Sequence, residues 1–396
     1  MTALLRVLAC TTVALAPLEG YLFQVHPQLA KVSPALLATA WVVVRVRQRQ
    51  APTPHLVHAA LALFTVLLLA SAAMHADGPF TVEYTLRWLP FLVLTVILID
   101  VAAREVSTHA LLRAAFGGAA VAAVGALYSL MAGGAARATG PLEDPNDLAY
   151  FLVVALPLLI ALPPERRRIG RGAQVGMVLA ATVVAAGAAA TFSRGGAIAL
   201  TCAIAWLVAR RALPLPALGG ALAMLAVLGL ASVLMAGPEL ARALQEKSYI
   251  AGSNVDTREL RWQAAARMLA ENPVLGVGPG GFRSEYAASS RNAEIAEQTP
   301  VAHDIYLEIA AELGLPAFVL FLGLLAITIV ASERVLRAST DRGPMVAVQA
   351  SLIAAAVAAT FLSEQYYLPI WLLIAVAVAA DLRVRKERER QCVCYT

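Results

Sequence analysis

An all-α, polytopic membrane protein with about 12 transmembrane helices and one long outer loop is the fold class the sequence predicts. Three observations predict it. First, of 396 residues 60% are hydrophobic and only 14% charged, against roughly 45–50% apolar and 25% charged in an average soluble domain. Second, the apolar residues come in blocks of about 20, the helix length that crosses a hydrocarbon core ~30 Å thick. Such blocks exclude a soluble enzyme, and they lack the alternation of an outer-membrane barrel. Third, the basic residues fall on alternating sides of those blocks, as the positive-inside rule requires.

Candidate spans lie near 4–23, 29–45, 55–74, 84–102, 110–132, 147–163, 175–192, 195–209, 216–236, 303–331, 345–362 and 367–382. The first carries Ala14-Leu15-Ala16 followed by Pro17, a poor junction for a signal peptidase, so it is expected to be a retained helix. With the N-terminus inside, 20 of the 31 Lys and Arg collect on the inner side, from Arg6 and Arg45 to Arg390. Outside segment 237–302 the other side holds only Lys31, Arg87, Arg137 and Arg194. Both termini are therefore expected in the cytoplasm, and the net charge of +5 reads as topology rather than as a nucleic-acid partner.

The chain divides into helices 1–9 (residues 1–236), an outer helical loop (237–302), helices 10–12 (303–382) and a basic inner tail (383–396). In the loop, Pro238 to Lys247 and Asp256 to Glu271 read as short helices. The second has Asp256 as N-cap, with Leu260, Ala264 and Met268 on one face. Asn272-Pro273 and the glycines through Gly281 then stop it. Cys10, Cys202, Cys392 and Cys394 form neither a disulfide framework nor a metal set. No cofactor is called for.

Charges at a membrane face are functional candidates because burying them is costly. Ser193 can cap a helix at Phe192-Ser193-Arg194-Gly195-Gly196, which sets Arg194 beside free N–H groups, a corner that attracts phosphate. Arg258 lies in the first turn of a loop helix, where an anionic ligand would compensate it. Two such arginines suit a diphosphate. Thr299 as N-cap and Pro300 at the first position start the tenth span about one turn before His303, a candidate general base. Asp304, Glu308 and Glu312 surround it, the two glutamates about 7 and 13 Å further along the helix and in need of a compensating Arg. Glu143-Asp144-Pro145-Asn146-Asp147 is an acidic turn that can bind a divalent cation or simply cap a helix. Arg87-Trp88 and Glu364, Tyr366 and Tyr367 complete the outer candidates. Gly276, Gly278 and Gly281 match G-x-G-x-x-G, but without a βαβ unit the match carries no nucleotide site.

In this order the pieces resemble the O-antigen ligase and polymerase superfamily, polytopic bacterial glycosyltransferases of the inner membrane. The matching stretches cover about 140–325. They are Asp144-Pro145-Asn146, Thr191 to Gly196, the R-x-x-x-W of Arg258 to Trp262, Asn272 to Phe282, and His303-Asp304-x-Tyr306-Leu307-Glu308-x-x-x-Glu312-x-Gly314-Leu315-Pro316. The resemblance implies a periplasmic site taking a glycan from an undecaprenyl-pyrophosphate carrier to a glycan, lipid or protein acceptor. It makes Arg194 and Arg258 the pyrophosphate ligands and His303 the base. Metal-independent inversion follows as the expected mechanism. Asp304 departs from the family's usual Asn or Ser and is expected to raise the His303 pKa. A secondary transporter or a lipid-linked sugar flippase is the competing class.

Overall fold

The computed structural model describes residues 2–132, 137–162, 170–213, 219, 257–294, 300–363 and 365–394. Among them the architecture is entirely helical. In chain order the helices are α1 Thr2–Val25, α2 Leu29–Gln48, α3 Leu56–Met74, α4 Thr81–Arg104 and α5 Thr108–Met131. The shorter α6 Pro145–Ala161 follows, then α7 Arg171–Ala190 and the shorter α8 Arg194–Ala209. Helix α9 spans 257–271 and α10 spans Gly281–Ser289. The last three are α11 Ile305–Ala338, α12 Gly343–Phe361 and α13 Leu368–Cys394. Eight of the described helices are long and apolar enough to cross a bilayer. The expected span at 216–236, the helix Pro238 to Lys247, and Asp256 and Thr299 as caps all lie outside the described residues.

Helix α13 is the central strut. It packs on α4, α11 and α12, and every residue from Ile370 to Ala380 is buried, as expected of a helix apolar on all faces. The outer ring keeps large apolar side chains exposed, including Val42 and Val46 on α2 and Leu63 and Val66 on α3. In a bilayer these meet lipid tails, so their exposure is not a defect.

At one end of the bundle, buried ion pairs join the helices. Arg45 grips Glu105 through two hydrogen bonds of 2.8 Å each and also pairs with Asp100, while His55 Nε2 lies within hydrogen-bond distance of Asp381 Oδ2, at 3.3 Å. Since Asp100 lies in the last turns of α4 and Asp381 well along α13, the residues before α13 and the first turn of α4 lie at the opposite end. That opposite end holds the candidate site.

Helix α11 is broken. Gly314 sits at φ 80 and ψ 174, a region open essentially to glycine alone. The break frees the Ala311 and Glu312 carbonyls, which the segment after α9 then satisfies. Val277 N donates to Ala311 O at 2.9 Å and Gly278 N to Glu312 O at 3.0 Å, while Leu315 N donates to Pro273 O at 2.8 Å. Irregular backbone at this depth is stable only when its polar groups are met by protein in this way. Gly276 is required for the approach, because a Cβ there would lie 2.3 Å from the Glu312 carbonyl carbon. The glycines that resembled a nucleotide loop thus dock a cap segment into a broken helix.

Candidate active site

The sequence places His303 about one turn inside a helix; the structure corrects this. The helix begins at Ile305, and Asp304 is its N-cap, its carboxylate accepting from Leu307 N at 3.0 Å. Asp304 therefore competes with Pro300 as a start signal and wins, because its side chain satisfies an otherwise free N–H. Asn and Ser cap helices equally well, which explains why Asp can stand here. The pKa of Asp304 itself is raised, mainly by burial, against hydrogen bonds from the helix N–H groups.

His303 is left outside the helix at φ 52, an uncommon conformation for a non-glycine residue that costs roughly 1–3 kcal/mol. Four successive residues are pinned to hold it. Arg261 Nη1 donates to Val301 O at 3.4 Å, and Ala302 N donates to Glu308 Oε2 at 3.2 Å. His303 N donates to Ser363 Oγ at 2.7 Å, and Asp304 caps the helix that follows. The base candidate is thus pre-set by surrounding charge and hydrogen bonding.

Glu308 and Glu312 are fully buried, and the compensating arginine that they require is Arg283. Its Nη1 lies 3.6 Å from Glu308 Oε1 and 3.8 Å from Glu312 Oε1. Its guanidinium stacks 4.3 Å from the centre of the Tyr84 ring. Burial opposes its charge, but Glu308 and Glu312 outweigh it and raise its pKa. Gln365 Nε2 donates to Glu308 Oε1 at 3.2 Å. Sequence reasoning missed Arg283 and Gln365, since neither lies in an apolar block. The unmatched acids in α11 were the available signal.

The two arginine corners flank this loop. Ser193 Oγ accepts from Gly196 N at 3.2 Å as the expected cap of α8, with exposed Arg194 at the first position. Gly195 packs on Phe361, two residues before the Ser363 that holds His303. Arg258 lies one turn before Arg261, the residue bound to Val301 O. Burial pulls the Arg258 guanidinium below its ordinary value, with Asp144 opposing and Arg261 adding to the shift. The face expected of α9 is largely the one buried: Ala264 and Met268 pack with Phe282, Tyr286, Ala302 and Ala311.

Asp144 caps α6 by accepting from Asn146 N at 2.6 Å. Asn146 Oδ1 accepts from Arg137 Nη2 at 3.1 Å, and Arg137 Nε donates to Thr191 O at 2.9 Å. Arg137 therefore ties the acidic turn to the Arg194 corner, a role not foreseen from the sequence. Asp147 Oδ2 accepts from Tyr367 OH at 3.1 Å. Arg87 is exposed and paired with Glu83 at 2.6 Å; its guanidinium lies 4.6 Å from the centre of the Tyr84 ring, on which Arg283 also stacks. Glu364 lies outside the described residues.

Residues 177–322 match the family described as O-Antigen ligase. Curated proteins yield no match. The matched stretch runs from α7 into α11 and contains Arg194, Arg258, Arg283, His303, Glu308 and Glu312, whereas Arg87, Arg137 and Asn146 precede it. Over residues 177–322, about a third of its length, this chain is similar to the O-antigen ligase family.

Proposed function

We propose that the protein is an inverting, metal-independent glycosyltransferase that moves a glycan from an undecaprenyl-pyrophosphate carrier to an acceptor hydroxyl. In this reading the site faces the periplasm of a bacterial inner membrane and both termini are cytoplasmic. The observation that carries it is the loop at His303: a candidate base held at positive φ, with Val301 bound by the helix that bears Arg258 and His303 N bound by Ser363, two residues from the Phe361 that packs on Gly195.

His303 takes the proton of the acceptor hydroxyl as its oxygen bonds to the anomeric carbon. The bond from that carbon to the phosphate oxygen breaks, and its electron pair leaves on the pyrophosphate. Arg194 and Arg258 neutralise the charge that grows there, aided by the N–H groups at the start of α8. Arginine suits this role better than lysine, because its planar fork matches two phosphate oxygens at once. Attack from the face opposite the leaving group inverts the anomeric centre. The acidic turn serves to cap α6 and hold Arg137, since its side chains already have those partners.

A transporter would use the carbonyls of a broken helix to coordinate an ion. Here the Ala311 and Glu312 carbonyls accept from Val277 and Gly278, which favours the transferase. The test is incubation of purified protein with undecaprenyl-pyrophosphate-linked oligosaccharide and candidate acceptors, with products resolved by mass. A product carrying the intact glycan with inverted linkage is expected. Hydrolysis alone, or uptake of the lipid-linked sugar without transfer, would refute the reading.

A further inference from the structure

We propose that Glu294 is a positioning residue for His303: a carboxylate locked in place by Arg261 and Tyr286 that balances the charge the imidazole acquires with the acceptor proton. The proposal rests on the reading of His303 as the base. It starts from a side-chain cluster in the cap. Arg261 is buried, 6% exposed, and holds Glu294 through Nε and Nη2, both at 3.2 Å. Tyr286, also buried, donates its hydroxyl to the same carboxylate. The third nitrogen of Arg261 reaches Val301 O at 3.4 Å, two residues before His303. One guanidinium thus fixes both the carboxylate and the loop that carries the base.

A buried arginine and tyrosine hold one carboxylate, and the same arginine holds the backbone two residues before a histidine at positive φ. The electrostatics agree. Burial works against the Glu294 charge, yet Arg261 and Tyr286 lower its pKa, and His303 adds to the lowering. The interaction is reciprocal, so Glu294 favours protonated His303. The burial and Glu294 hydrogen bond that push the Tyr286 phenol up to about 12 keep it a donor to Glu294 throughout the working range. Among the described residues, Asp304 caps α11 and Glu308 pairs with Arg283. Glu364 lies outside the described residues.

In the reaction, the proton leaves the acceptor oxygen for the imidazole, and Glu294 stabilises the resulting imidazolium until solvent removes the proton. Glu294 itself is not protonated in the cycle, the logic of an orienting carboxylate beside a catalytic histidine. Arg261, paired with Glu294, tempers the field of that carboxylate.

The test is the pH–rate profile of transfer by full-length protein in nanodiscs, with folding followed by thermal melting. Glu294→Gln should move the acid limb of the profile to lower pH by on the order of half to one unit and lower the maximal rate. Arg261→Gln, which leaves Glu294 uncompensated, should move it to higher pH. Glu294→Asp keeps the charge and should restore the wild-type limb. A merely structural role would lower the melting temperature of both glutamine variants without moving either limb, and that result, or shifts in the same direction, overturns the proposal. His303→Ala separates the two levels. If it retains full activity, the base assignment fails; if it is inactive while the profiles of both variants coincide with the wild type, only the role of Glu294 fails.

Discussion

Replacing Gly314 by alanine should undock the cap segment from α11, and the structure sets the size of the effect. A Cβ at this position would lie 2.3 Å from Val274 O and 2.5 Å from its carbonyl carbon, far inside van der Waals contact, and both belong to backbone that cannot rotate away. An alanine at φ 80 and ψ 174 adds roughly 1–3 kcal/mol of strain. Relief requires the segment to leave. That breaks the hydrogen bonds of Val277, Gly278 and Leu315, each contributing about 0.5–1.5 kcal/mol. A combined effect of about 3–7 kcal/mol is comparable to the whole stability of many domains, so local undocking is expected. Arg283 would move with the segment and leave Glu308, which holds Ala302 N, so transfer should fall by at least about tenfold. Hydrogen–deuterium exchange in nanodiscs reads the undocking directly at those three amides. Gly323→Ala is the control, because a Cβ there meets nothing within 4 Å and should be neutral or mildly stabilising. Wild-type protection at Val277, Gly278 and Leu315 in Gly314→Ala, together with normal transfer, would refute this reasoning.

Other outcomes follow from single contacts. Asp304→Asn should retain stability and activity because amide and carboxylate both cap α11, whereas Asp304→Ala should lose about 1 kcal/mol in denaturation. The Glu294 clamp has a pH sign: its pKa is lowered from 4.5, so its contribution is present above that value and lost as pH falls through the lowered one. Exchange protection of α9 and α10 should therefore drop on acidification and be insensitive to acid in Glu294→Gln. Transfer should survive EDTA; loss restored by Mg²⁺ or Mn²⁺ would make Asp144, Asn146 and Asp147 metal ligands instead. In a cysteine-free background, a cysteine at exposed Glu285 should label in cells with an opened outer membrane. Cys392, exposed on the basic tail, should label only once the inner membrane is permeabilised.

The helices of this protein are legible in its sequence because burial and length dominate them. The expected span at 84–102 is α4, and that at 195–209 is α8 to within one residue. The expectation that Ser193 caps α8 is met by its bond to Gly196. What was not legible depends on contacts distant in the chain. His303 lies outside α11 because Asp304 caps that helix, whereas the sequence also offers a start at Thr299 and Pro300, and Ser363 and Glu308 reinforce the later start from afar. The break at Gly314 hides inside a run hydrophobic enough for one continuous span, and only the amides of Val277 and Gly278 reveal why it is tolerated. The need for an arginine beside Glu308 and Glu312 could be read from their depth. That Arg283 fills the role could not, since it lies in a polar cap helix.

In the proposed mechanism the arginines hold the donor and the histidine takes the proton, and parallel measurement of donor binding and transfer rate tests that division. His303→Ala should bind lipid pyrophosphate nearly as well as the wild type while transferring roughly 10²–10⁴ times more slowly, the usual contribution of a general base. Arg194→Ala and Arg258→Ala should lose binding as well as rate, with charge-assisted bonds contributing about 1.5–3 kcal/mol each, and lysine should rescue them only in part. Abolished donor binding in His303→Ala, or full activity in either arginine variant, would contradict the account.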